Sequence, residues 1–160
     1  MNIAGIQKLF GRNHISGANI FHEIARTGFV ELLYRIRDNY DGPLDSLLQE
    51  FDNYGENCIH VVADTHQGRH AISIIQVLME LGADLNAPDR LLNITVLHIA
   101  VHHKDYTLAK WLCQQPNLDI NVKSFDGLTA YGLARIEGDQ EMMRILRLNH
   151  MKLTCTAESA

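Results

Sequence analysis

Three histidines, His22, His60 and His98, stand at equal steps of 38 residues, and the residues before them agree. Aligned on the histidines, the chain reads Gly17-Ala18-Asn19-Ile20-Phe21-His22, Gly55-Glu56-Asn57-Cys58-Ile59-His60 and Asn93-Ile94-Thr95-Val96-Leu97-His98. A fourth copy, Gly127-Leu128-Thr129-Ala130-Tyr131-Gly132, keeps the pattern but puts glycine in the histidine's place. A period of this length means that each copy is one supersecondary unit with an apolar face it cannot bury alone, so neighbours must stack in a row. The Thr or Asn two places after the leading Gly or Asn sits where a side-chain oxygen caps a starting helix, as Thr95 and Thr129 are placed to do.

Each unit continues in the same way. After His60 come Ile72, Ile74, Ile75, Val77, Leu78 and Leu81, then Gly82-Ala83-Asp84-Leu85-Asn86-Ala87, with Gly82 at a left-handed helix stop. After His98 a second helix carries Leu108, Trp111 and Leu112 and is followed by Asp119-Ile120-Asn121-Val122; after Gly132 the helix carries Met142, Ile145 and Leu146. The first unit departs from the rest. Its second helix, near Val30 to Arg37, runs into Asp41-Gly42-Pro43, after which Leu44, Leu47, Leu48 and Phe51 predict an additional amphipathic helix begun by Pro43.

These motifs resemble the ankyrin repeat, whose signature is Gly-x-Thr-Pro-Leu-His-x-Ala at a period of about 33. The resemblance implies an all-α fold: an ankyrin-repeat solenoid of about four helix-turn-helix repeats with short β-finger loops, in which the signature histidines bond to loop backbone. The surplus over the usual period falls in the stretch Thr65 to Ser73, with about four residues too many for a helix-to-helix turn, and in the loop Pro88 to Asn93, with about one. Loops accept such additions cheaply, because closure entropy grows only logarithmically with length. One domain spans 1–160: a cap over 1–15 built on Ile3, Ile6, Leu9 and Phe10, repeat 1 with its extra helix over 16–51, and repeats over 52–87, 88–123 and 124–148. A frayed tail over 149–160 closes it, and the polar Glu137, Asp139, Gln140 and Glu141 are expected to face an open end.

Chemistry other than binding finds little support. The pairs His66/His70 and His98/His102 have i, i+4 spacing, but the signature histidines belong to successive units about 10 Å apart, so no metal site is expected. There is no Gly-x-Ser-x-Gly, P-loop or dinucleotide fingerprint, so no catalytic residue and no cofactor are expected either. Cys58, Cys113 and Cys155 form neither a C-x-x-C pair nor an even framework, and read as buried, reduced thiols. The beginning of the chain is broken by Gly5, Gln7 and Lys8 and lacks the apolar run of a secretory signal, and no segment offers the ~20 apolar residues of a membrane span.

A net charge of −5 argues against nucleic acid as a direct partner. The acid is uneven: Asp38, Asp41, Asp45, Glu50, Asp52, Glu56 and Asp64 occur with no Lys or Arg between them, either as a solvated face or as a contact surface for a basic segment. The loop tips are Asp52-Asn53-Tyr54, Arg90-Leu91-Leu92 and Ser124-Phe125-Asp126. Tyr54, Leu91, Leu92 and Phe125 either pack inward or stand out as anchors. The candidate partner-binding residues are therefore Asp52, Tyr54, Glu56, Arg90, Leu91, Leu92, Phe125 and Asp126, and the structural signature is His22, His60, His98, Thr95, Thr129 and Gly127.

Among ankyrin proteins, the short irregular repeats and the acidic first half resemble the IκB-like viral ankyrins of polydnaviruses. That resemblance implies a host Rel/NF-κB partner, suppression of host immune signalling, and residence inside the host cell, in cytoplasm and also nucleus. IκB proteins are destroyed through an Asp-Ser-Gly-x-x-Ser degron; here the nearest approaches are Asp45-Ser46-Leu47 and Ser16-Gly17, and no acidic, Pro-rich tail precedes Ala160. The resemblance thus implies an inhibitor that resists signal-dependent removal. The alternative is a general ankyrin adaptor for another host protein.

Overall fold

The computed structural model describes the backbone of residues 11–40 and 42–157, with side chains as far as Leu148. The cap expected on Ile3, Ile6, Leu9 and Phe10 lies outside the described residues. Helices α1 (Ile20–Thr27), α4 (Cys58–Thr65), α6 (Val96–His102) and α8 (Ala130–Ile136) follow the four aligned motifs. Each is paired with a second helix: α2 (Val30–Asn39), α5 (Gly68–Glu80), α7 (Tyr106–Leu112) and α9 (Gln140–Ala157). The first set stacks in one row and the second in another, giving two layers with the core between them. Among the described residues there is no strand.

Three of the four inner helices begin with the side-chain cap that the motif predicts, whereas Thr95 Oγ1 lies 3.0 Å from His98 Nδ1. Asn19 Oδ1 accepts from the amides of Phe21 and His22, and Asn57 Oδ1 from those of Ile59 and His60, so two orphan donors at each helix start are satisfied. Thr129 Oγ1 accepts from the Gly132 amide at 3.1 Å. Helices this short draw their stability from packing rather than propensity. Phe21, Ile59 and Leu97 point into the core and are at most 2% exposed, which stabilises by about 1.5–3 kcal/mol for each such side chain.

The signature histidine joins one repeat to the next. In repeats 1 to 3 its Nδ1 accepts the amide of the capping residue, Asn19, Asn57 or Thr95, at 3.1–3.2 Å. Its Nε2 is therefore the protonated nitrogen, and donates to the backbone carbonyl of Glu56, Ala87 or Leu128 at 2.9–3.1 Å. Glu56 and Leu128 hold equivalent positions. His60 bonds to Ala87 O, ahead of the loop that carries the additional residue before Asn93, with the backbone of the equivalent Ile94 also close to the ring.

The loops preceding the inner helices form fingers over 13–18, 52–56, 89–94 and 124–128, each closed between its first amide and last carbonyl by a backbone hydrogen bond of 2.8–2.9 Å. The residue that leads each motif holds a left-handed conformation there: Gly17 at φ 69°, Gly55 at 78°, Asn93 at 57° and Gly127 at 76°. This explains the restriction to Gly and Asn. Adjacent fingers are laced together by Asn53 N–H to Ser16 O, Arg90 N–H to Gly55 O, and Phe125 N–H to Leu92 O.

Four expectations are corrected. The surplus between Thr65 and Ser73 is mostly helix, not loop: only His66 and Gln67 separate α4 from α5, and α5 runs for 13 residues where α7 has 7. Beyond Gly68 no glycine or proline interrupts the segment before Gly82 (φ 108°), so the extra residues become helix. The additional helix of repeat 1, α3, spans only Asp45–Leu48. Pro43 and Phe51 fall outside it, and one turn suffices to bury Leu44, Leu47 and Leu48, with Leu47 O accepting from Asn19 Nδ2 at 2.7 Å. Residues beyond Leu148 continue α9 to Ala157, in a stretch free of glycine and proline.

The fourth correction concerns the polar start of the last outer helix. Asp139 is buried and faces repeat 3, not an open end: its Oδ1 accepts from the Met142 amide and its Oδ2 from the Tyr106 hydroxyl. Asp105 does the same one repeat earlier, capping Leu108 N–H through Oδ1 and taking Gly68 N–H through Oδ2 at 2.6 Å. Glu137 pairs with His102 across the inner row, and Glu141 with Arg144 on its own helix.

Burial holds the pKa of His22, His60 and His98 below the usual histidine value, with burial outweighing the carbonyl and carboxylate partners that favour the cation. A lowered folded pKa means that the native state binds fewer protons than the unfolded chain. The stability these rings contribute is present above about pH 6.5 and is lost as the pH falls below it. Replacing His60 with Gln should lower stability near neutrality and flatten the loss on acidification by up to about 1.4 kcal/mol per pH unit, read from urea unfolding between pH 7 and 5. An unaltered pH slope would contradict a neutral, bonded His60.

Gly28 ends α1 at φ 72°, beneath His66 and His70, whose rings meet edge to face at 4.8 Å. A Cβ there would stand 2.7 Å from His70 Nε2 and 2.9 Å from His66 Cε1. Gly28→Ala should cost about 1–2 kcal/mol from the backbone alone, plus a steric part. Adding His70→Ala should return only that ring's share of the steric part in a double-mutant cycle, and a purely additive result would refute the contact.

Candidate functional site

The fingers carry the exposed apolar groups that the sequence left open between packing and contact. Tyr54 is 60% exposed, Leu91 62%, Leu92 56% and Phe125 70%, so all four stand out from the tips. Arg90 and Asp126 are also exposed, and the Arg90 guanidinium lies over the Phe51 ring at 4.3 Å. The finger lacing and the left-handed turns set where these tips stand. Ile15, on the first finger, is more exposed than any of them at 89% and was not among the sequence candidates; the signal was its place one residue before Ser16, which the lacing shares with Asn53.

The acidic segment does not form one continuous face. Asp38 pairs with Arg37 on α2, and Arg37 also bridges to Glu80 of α5 at 2.8 Å. Asp45 sits against Gly82 at the end of α5, and Glu50 accepts from Asn19 Nδ2. Asp52, proposed as a contact residue, is 7% exposed and serves its own finger: Oδ1 accepts from the amides of Tyr54 and Glu56. Sequence reasoning treated every acid as surface, whereas an Asp at the head of a tight turn is drawn to backbone amides. Asp89 plays the same part in the third finger, accepting from Leu91, Leu92 and Ile94.

What remains is an acidic group on repeat 2, joined by Asp89 from the third finger. The half-buried Glu56 carboxyl is pushed up to about 7, first by burial and then by the charges of Asp64, Asp52 and Asp89, against the opposing influence of Arg26. Asp64 is itself paired with His103 at 2.9 Å. Tyr54 stands exposed on the Asp52 finger, so an apolar anchor and the acidic group share one short stretch of chain.

The remaining chemistry-bearing groups are engaged structurally. Both ring nitrogens of each signature histidine are bonded, and His66 Nε2 lies 2.9 Å from Ala25 O. Among the described residues no three His, Cys, Asp or Glu side chains converge closely enough to hold a metal ion. Cys58 is fully buried with its thiol pushed up to about 12, and Cys113 is buried and pushed up to about 11, in both cases by desolvation. Both thiols are therefore poor nucleophiles at neutral pH. No described helix is long and apolar enough to cross a membrane.

Comparison with known proteins agrees with this architecture. The family model described as "Ankyrin repeats (many copies)" matches residues 78–134, from the end of α5 into α8. The chain is 36% identical over 138 residues to "I-Kappa-B like protein H1" of Microplitis demolitor bracovirus (isolate Webb), covering 86% of this chain and 71% of that protein. It is 36% identical over 134 residues to "I-kappa-B like protein N2" of the same virus, covering 82% and 73%. It is 38% identical over 138 residues to "I-Kappa-B like protein C2", again of that virus, covering 86% and 75%. With more than a third of the aligned residues identical over most of both chains, and with the finger, histidine and paired-helix geometry in place, the chain belongs to the I-kappa-B-like family of ankyrin-repeat proteins.

Proposed function

We propose that this chain is a protein-binding inhibitor of host Rel/NF-κB transcription factors, acting in the host cytoplasm, with access to the nucleus, to suppress immune signalling. The observation that carries the reading is the row of exposed tips, Tyr54, Leu91, Leu92 and Phe125, set on fingers laced to one another by backbone hydrogen bonds. Aromatic and large apolar anchors held in place before binding lose little entropy on contact, which favours affinity. The acidic group around Glu56 and Asp64 suits a basic segment at one end of that row. The bracovirus relatives' I-kappa-B-like names supply the partner class. Sequestration then follows from occupancy: a Rel dimer whose basic segment is held here is withheld from DNA.

Co-precipitation with a Rel homology region, followed by competition against labelled DNA, tests the assignment. Tyr54→Ser and Phe125→Ser should each weaken capture about tenfold, as expected when an anchor costs more than 1 kcal/mol. Glu56→Lys should weaken capture and reduce its salt dependence. Because Asp52 caps its own finger, charge reversal belongs at Glu56, whose backbone bonds survive it. Full capture by all three variants would refute this surface.

The chain contains no Asp-Ser-Gly triplet on which a phosphodegron of the IκB type could be built. Its half-life in insect cells should therefore be unchanged by an immune stimulus that clears the host inhibitor within the same culture. Accelerated loss after stimulation, measured by pulse-chase, would count against a released off-switch.

A further inference from the structure

The loop after α5 is tied to the loop after α7 by one asparagine. Asn86 Nδ2 donates to Asn117 O at 2.7 Å, and Asn86 Oδ1 accepts the Asp119 amide at 2.8 Å, so both ends of the side-chain amide grip backbone on either side of Leu118. Leu118, between the two clamped groups, is buried. One repeat later the clamp is built again. The Asn86 amide bonds to Asp84 Oδ1 at 2.8 Å and the Asn121 amide to Asp119 Oδ1 at 2.9 Å, so Asp84-Leu85-Asn86 and Asp119-Ile120-Asn121 share one turn. The Asn121 side chain has no hydrogen-bond partner among the described residues.

Repeat 4 does not supply that partner. By the spacing that relates Asp105 to Asp139 and Leu112 to Leu146, its counterparts of Asn117, Leu118 and Asp119 are Met151, Lys152 and Leu153. There the backbone does not turn as it does after α7: it continues α9 to Ala157, with its amides and carbonyls used inside the helix. Beside Asn121 lies a groove of about 370 Å3, lined by Ile120, Asn121, Ala130, Tyr131, Leu146 and Arg147. Ile120, Ala130 and Leu146 give it an apolar floor. Arg147 brings charge to its wall: it is exposed, donates through Nε to the Tyr131 hydroxyl at 2.8 Å, and has no ion-pair partner among the described residues.

We propose that this groove at the open end of repeat 4 binds a short non-helical segment of a partner protein: an apolar residue fills the floor, Asn121 takes the flanking carbonyl and amide, and an acidic residue lies against Arg147. The chemistry of the occupant is read from the segment held one repeat earlier. Asn117-Leu118-Asp119 gives Asn86 a carbonyl and an amide on either side of a buried leucine, and the groove offers the same two bonds beside an apolar recess. The acid is selected by charge, since a carboxylate there meets an unpaired guanidinium. A helix cannot use the clamp, because its own hydrogen bonds consume the backbone groups that Asn121 needs. None of the finger-tip anchors Tyr54, Leu91, Leu92 and Phe125 lines the groove, so this is a second contact, separate from the surface assigned above.

The test titrates the 15N-labelled full chain with a blocked peptide of its own residues 115–121, the segment that already fits such a clamp. The Asn121 side-chain amide resonances should move and saturate. A peptide carrying Leu118→Ser should bind about tenfold more weakly or worse, and one carrying Asp119→Asn should bind more weakly and with less dependence on salt. In the protein, Asn121→Ala should abolish the effect yet leave the urea midpoint unchanged, whereas Asn86→Ala should lower that midpoint, because the fold uses only the Asn86 clamp. Still resonances at millimolar peptide, binding indifferent to Leu118→Ser or to Asn121→Ala, or equal destabilisation by Asn121→Ala and Asn86→Ala overturns the proposal. Movement of the same resonances with protein concentration alone, with a dimer in sedimentation, gives the groove to a second copy and overturns it as well.

Discussion

The bond from a signature histidine to backbone at or just ahead of the next finger is the constraint on which the rest depends. A pair of short helices has too little interior of its own, and the stack exists because each unit lends its apolar face to a neighbour. Apolar contact sets no register by itself. The imidazole does, because Nδ1 is held by the capping amide of its own helix, leaving Nε2–H to find a carbonyl in the next finger, as for His22 and His98, or at the chain just ahead of it, as for His60. Two further sets of contacts follow the same spacing: finger to finger through backbone amides, and outer helix to outer helix through Asp105 and Asp139. From repeat 2 to repeat 4 they act at the inner end, the tip and the outer end, so sliding one of these repeats along another would break polar bonds in three places.

Those parts of the fold that a repeated backbone demand imposes were legible in the sequence. A left-handed residue at each finger allows only Gly or Asn, a helix start wants Asn or Thr, and the cross-repeat bond wants His; these recur at Gly17, Asn19 and His22 and again one and two periods later. Where the demand is not repeated, the pattern gives no guide. The surplus residues after Thr65 could be read by length alone, and length does not distinguish a longer loop from a helix that starts a turn earlier. Likewise Leu44, Leu47 and Leu48 announced burial correctly, but burial of three leucines requires only one turn, and Phe51 was not part of it.

The site was legible to a different degree. Exposure of Tyr54, Leu91, Leu92 and Phe125 turns on whether a loop tip folds back, which neighbouring fingers decide and sequence spacing does not. Charge was harder still. The run from Asp38 to Asp64 has a single sign in sequence, yet in space it divides: Asp38 and Asp45 belong with the outer helices, Asp52 turns inward to its own amides, and Asp89 joins from the next finger. An electrostatic patch is a property of three-dimensional neighbours, and one member here, Asp89, lies outside the segment that composition singled out.

Glu56 shows how one residue can serve both the frame and the surface. Its backbone amide is taken by Asp52 and its carbonyl by His22, so its main chain stitches repeat 1 to repeat 2. Its side chain contributes nothing to that stitch and stands instead among Asp52, Asp64 and Asp89. The division frees the position chemically: any side chain compatible with the finger would preserve the stack, so the presence of an acid among acids, where each added negative charge is unfavourable, is not explained by folding. A group that raises the energy of the free protein and is relieved by a cation is what a binding site requires, since the relief appears as affinity only when the partner is present.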